Sequence, residues 1–67
     1  MYFYDVHVQV DKKNSYSFGV KSEVELSDEE VINLARIEKK FEEEWDDESV
    51  DSIEEVSEEQ FNEWYSN

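Results

Sequence analysis

Residues 2–10 alternate without a break, with Tyr2, Tyr4, Val6, Val8 and Val10 on one face and Phe3, Asp5, His7 and Gln9 on the other. A period of two is the signature of a strand with one face buried. Residues 16–26 repeat it, with Tyr16, Phe18, Val20, Ser22, Val24 and Leu26 facing one way. The polar segment 11–15 between them is short enough to close a hairpin. Gly19, the only glycine, falls in mid-strand and predicts either a bulge or a close backbone approach.

The period then changes. Ser27-Asp28-Glu29-Glu30 spells a capping box, and Leu26 and Val31 occupy the two positions of a hydrophobic staple. From there Val31, Leu34, Ile37, Phe41 and Trp45, with Ala35 at the edge, form an apolar stripe at helical spacing. This predicts one long helix, ended by Asp46-Asp47-Glu48. Glu38 interrupts the stripe; it either pairs with a base across the hairpin or reaches out along the helix flank. Residues 49–56 read as a short third strand, although Val50, Ile53 and Val56 recur every three positions, which is not strand alternation. A second helix start follows at Ser57, with Gln60 three positions on and Val56 and Phe61 as the staple. The short helix it opens presents Phe61, Trp64 and Tyr65 at i, i+3 and i+4.

The order ββαβα implies a small α+β fold in a single domain, 1–67. A three-stranded sheet is expected, with the third strand beside and antiparallel to the first, covered on one face by the long helix. If residues 49–56 are loop instead, the first strand keeps an open edge that a second copy could occupy, giving a homodimer. At 67 residues with no cysteine, the core rests on the ten aromatics and the aliphatic residues, without disulfide or thiolate–metal support. Cysteine-free composition fits a cytoplasmic location. No apolar run is long enough to span a membrane, and the N-terminus has no basic, apolar leader pattern.

Charge changes the picture more than composition does. The chain holds 20 acids and 6 bases, a net charge of −14, which argues against direct binding of nucleic acid. The charge is unevenly distributed. Residues 1–40 hold eight acids and all six bases, a net of −2, whereas residues 41–67 hold twelve acids and no base, a net of −12. Trp45, Phe61, Trp64 and Tyr65 are interleaved with those acids, a composition unlike that of a disordered acidic tail.

Catalytic machinery is not legible. His7 is the sole histidine and has no acid at a spacing that marks a triad, so it reads as a surface or half-buried structural residue. Asp46, Asp47, Glu48 and Asp51 lack the alternating ligands, glycine and closing glutamate of an EF-hand. Phosphate-binding glycine loops and zinc patterns are missing as well, so no cofactor or metal is expected and the chain does not read as an enzyme.

The candidate site is therefore a carboxylate surface: Glu42, Glu43, Asp46, Asp47, Glu48, Asp51, Glu54, Glu55, Glu58 and Glu59. Clustered like charge costs stability by self-repulsion, and acids near a helix C-terminus oppose the macrodipole. Such a surface can instead occupy the Lys/Arg array of a basic nucleic-acid-binding protein such as a nuclease or glycosylase. The competing readings are a solvated face, an adaptation to high salt, and a module that neutralises a basic protein without imitating DNA. Salt adaptation should acidify the whole chain, and residues 1–40 are nearly neutral. Phe3, on the polar side of the first strand, is the candidate exposed anchor for such a partner. Phe41, Trp45, Phe61 and Trp64 are expected in the core.

Tyr4-Asp5-Val6, the polar turn, Tyr16 and the Leu26-Ser27-Asp28 helix entry resemble the phage uracil-DNA glycosylase inhibitor family over about residues 2–37. The acidic stretch with spaced aromatics from Phe41 to Tyr65 is similar to that of some anti-CRISPR proteins. Both resemblances imply one mechanism, in which a phage or mobile-element protein fills the DNA-binding cleft of a host enzyme.

Overall fold

A computed structural model describes residues 1–65. Its elements are β1 (Tyr2–Gln9), β2 (Ser15–Ser22), α1 (Asp28–Ile37), a 3-10 turn (Asp47–Ser49), β3 (Val50–Val56) and α2 (Glu58–Tyr65). The three strands form one antiparallel sheet in the order β2-β1-β3, so the expected α+β fold and the placement of β3 beside β1 are what the chain adopts. The edge of β1 that a second copy could have occupied is filled by β3.

The hairpin closes on Asp11, whose Oδ1 accepts the backbone N–H groups of Lys13 at 2.8 Å and Asn14 at 2.9 Å. The Asn14 side chain donates to the same carboxylate, and these bonds hold the Asp11 carboxyl below its usual pKa. Register then sets Val6 opposite Phe18 and Tyr4 opposite Val20. On this face α1 buries Val31 and Ala35 against Tyr4, Val6, Val8 and Val20. The capping box forms as read, with Ser27 Oγ accepting the Glu30 N–H and Glu30 Oε1 accepting the Ser27 N–H. Tyr4 ties the entry to the sheet by accepting the Leu26 N–H on its hydroxyl at 2.8 Å.

The long helix is shorter than its apolar stripe. α1 ends at Ile37. Lys39 takes the left-handed conformation (φ 64°), and the Lys40 and Lys39 N–H groups bond back to the Ala35 and Arg36 carbonyls, a Schellman closure. The carboxylates at 42–48 explain the stop, because a helix continued through them would set its negative end among negative charges. Phe41 and Trp45 still reach the core, but from a chain that folds back. Phe41 is 3% exposed, whereas Ile37, the stripe residue before it, is 75% exposed. Phe41 meets Phe18 and Trp45 edge-on, Trp45 stacks on Tyr16, and the Arg36 guanidinium lies 4.4 Å from the Phe41 ring centroid. Glu38 caps α1 and pairs with Lys40 at 3.3 Å.

The spacing of three between Val50 and Ile53 has a geometric cause, while Val56 faces Phe3 on the other side of the sheet. Ile53 faces Val6 and Ser52 faces His7, but Val50 faces Val8, so Asp51 is an extra residue in a bulge. The bulge returns Val50 and Ile53 to the same side of the sheet as Val8 and Val6.

The second face of the sheet is covered as well, by α2. Ser57 Oγ accepts the Gln60 N–H at the helix start, and Phe61 then packs on Phe3 with ring centroids 5.0 Å apart. Gly19 marks a close approach rather than a bulge, since a Cβ there would lie 2.7 Å from Tyr65 Cδ2 and closer still to Phe61. Two expectations change in consequence. Phe3 is buried, not an exposed anchor, because the Phe3–Asp5 half of the polar side of β1 lies under α2 and Phe61 covers Phe3. Trp64, expected in the core, is half exposed, because the short helix turns only Phe61 and Tyr65 onto the sheet.

Candidate acidic interaction surface

The segment that carries the charge enters and leaves an edge strand. Glu42 and Glu43 lie in the loop after α1, Asp46 precedes the 3-10 turn, and Asp47 and Glu48 lie within it. Asp51 is the bulge residue, Glu54 and Glu55 lie on β3, and Glu58 and Glu59 form the first turn of α2. All ten are exposed. Because β3 is an edge strand, the structure brings Asp47, Glu48, Asp51, Glu54, Glu55, Glu58 and Glu59 together along one rim of the sheet, a strand of about 23 Å at about 3.3 Å per residue. Glu42, Glu43 and Asp46 stand apart from it, beside Phe41 and Trp45, which pack on Phe18 and Tyr16 of the opposite edge strand β2. Glu58 and Glu59 also suit the positive end of α2, so their position favours the fold.

Most bases lie elsewhere. Lys12 and Lys13 sit at the hairpin tip, Lys21 is on the opposite edge strand, and Lys40 Nζ donates to the Gly19 carbonyl of that strand at 2.7 Å. Lys39 borders the same hollow as Glu42, Glu43 and Glu44, and Arg36 bonds Asp47 Oδ1 at 2.6 Å. That pair is largely solvated and contributes at most about 1 kcal/mol. Among the described residues, the remaining carboxylates of residues 42–63 make no ion pair, and no three acidic or histidine side chains converge as metal ligands would.

A second constellation was not legible in the sequence. Asp5, on the α2 side of β1, is 5% exposed. His7 Nε2 lies 2.8 Å from its Oδ2, and the Tyr65 hydroxyl donates to its Oδ1. Burial raises the Tyr65 pKa above its ordinary value, and the bond to Asp5 adds to the rise. The Asp5–His7 half had a signal, since residues two apart on a strand share a face. Tyr65 had none, being 60 positions away. Beside this cluster, Asp5, His7, Glu54, Glu63, Trp64 and Tyr65 line a shallow depression.

Neither a protein family, nor a curated protein, nor a solved structure matches this chain.

Proposed function

We propose that this protein is a non-enzymatic inhibitor that imitates nucleic acid and fills the basic cleft of a cytoplasmic nucleic-acid-binding protein, such as a defence nuclease or DNA-repair enzyme. One observation carries this reading: exposed, nearly unpaired carboxylates lie along one ordered sheet edge. Over about 23 Å a single DNA strand presents about seven phosphates, one per about 3.4 Å of axis. Seven carboxylates, Asp47, Glu48, Asp51, Glu54, Glu55, Glu58 and Glu59, lie on β3 or directly flank it, on elements held in place by the Ser57 cap and the buried Phe61. Fixed charges bind a Lys/Arg array without the ordering entropy that a loose acidic tail would lose.

A second reading is a module that neutralises a basic protein without imitating DNA. It is favoured by Glu54 and Glu55, which as neighbours on a strand project to opposite faces of the sheet, as suits a partner that wraps the edge.

Competition separates them. A basic partner recovered from cell lysate by salt elution should release duplex DNA when this protein is added. Simultaneous binding of DNA and this protein would remove the mimicry reading. Replacing Asp46, Glu48, Asp51 and Glu55 with Asn or Gln should weaken the complex, and unchanged affinity would remove the electrostatic basis of both readings. Added salt should weaken the complex while stabilising the free protein, because screening relieves its self-repulsion.

A further inference from the structure

We infer that the depression between α2 and the β1–β3 strands is a receptor for one arginine side chain of the basic partner, an inference that rests on the acidic-surface reading above. Three features of this depression are ones that the fold alone does not require.

The first is a like-charge pair. Asp5 and Glu54 face each other directly across β1 and β3 on the α2 side of the sheet. Opposed like charges in an antiparallel pair are destabilising. A cation seated between them would convert repulsion into two charge-assisted bonds.

The second is the state of Asp5 itself. Its side chain is 7% exposed, and a buried carboxylate calls for cationic compensation. A carboxylate offers about four acceptor sites. His7 and Tyr65 engage one oxygen each, which leaves acceptor capacity on a group that lines the depression. His7 is the only basic side chain there, and Glu63 adds a third carboxylate at the rim.

The third is Trp64. Half of its surface is open to solvent although it stands in a domain short of apolar material, and Tyr65 braces it edge-on at 6.4 Å. Indole is the strongest of the aromatic cation partners. An open indole beside carboxylates is the chemistry that selects arginine over lysine, because guanidinium is planar, stacks on rings and donates in a fork.

The test uses the protein's two tryptophans, whose indole N–H signals separate in a nitrogen–proton correlation spectrum. Ac-Gly-Arg-Gly-NH2 and its lysine counterpart are titrated in turn, with Trp45, packed against Tyr16 and Phe41, as the internal control. The expected result is a saturable shift of the Trp64 signal, with the arginine peptide binding about two- to fivefold more tightly than the lysine peptide. Trp64→Leu, followed through backbone signals of β1, should abolish that preference, and Glu54→Gln with Glu63→Gln should weaken binding of both peptides. A Trp64 signal that does not move, or equal response to both peptides, would overturn the inference. So would unchanged binding in the double glutamine variant. The two proposals fail separately. Loss of the arginine response with DNA competition intact removes only this receptor, and loss of competition with the arginine response intact removes only mimicry.

Discussion

The Phe61 ring occupies the space into which a Cβ on Gly19 would project, so α2 lies on β2 at a distance only a glycine permits. The Gly19 backbone is not in the left-handed region, and the requirement is one of room alone. Gly19→Ala should therefore lose about 1–3 kcal/mol by overpacking, despite the better strand propensity of alanine. Urea unfolding checks the loss, and a neutral result would mean that α2 shifts freely on the sheet.

Phe3→Ala distinguishes a core residue from a surface anchor. Truncating a buried phenylalanine costs about 3–5 kcal/mol, and a domain of this length has about 3–10 kcal/mol in all. The variant should show a much lowered thermal midpoint or no cooperative transition by circular dichroism.

Lys39→Gly should stabilise the protein by about 0.5–1 kcal/mol, since among the described residues Lys39 alone of the non-glycines has positive φ and closes α1. Because the Schellman bonds involve only the backbone, they survive the change. A midpoint that fails to rise in denaturant would show that the Lys39 side chain contributes a compensating contact.

Tyr65 makes stability fall in alkali. Its pKa is raised in the folded state above the ordinary 10.0, so the folded protein holds the phenolic proton more tightly than the unfolded chain does. The contribution is complete below about pH 10 and is lost as pH rises through the folded value. In Tyr65→Phe the hydroxyl is gone, and the gap in melting temperature from the parent should narrow between about pH 8 and about pH 11. A constant gap would show that the phenol titrates alike in both states.

The local grammar of the chain was readable because its causes are local. Alternation in residues 2–10, the Ser27 and Ser57 caps and the polar turn at residues 11–15 depend on neighbours a few positions away, and each forms where the residues place it. The apolar stripe from Val31 to Trp45 misled for an equally physical reason. Helical spacing shows that residues can share a helix face, but Phe41 and Trp45 meet the same core after a chain reversal, and the acids between them disfavour the helix. The Val50–Ile53 spacing looked unlike a strand because a bulge is a property of two strands in register, not of one.

By itself the sequence determined the α+β order, the two capped helix starts and the concentration of negative charge after residue 40, since propensity, capping and charge belong to residues and their near neighbours. Only the tertiary structure decided that β3 lies on an edge, gathering the acids from Asp47 to Glu59 along one rim, and that α2 covers Phe3 while leaving Trp64 open. It alone set Asp5 against Glu54 and beneath Tyr65. Those relations join residues tens of positions apart, and they depend on strand order and on which face each helix takes, quantities that no local pattern encodes.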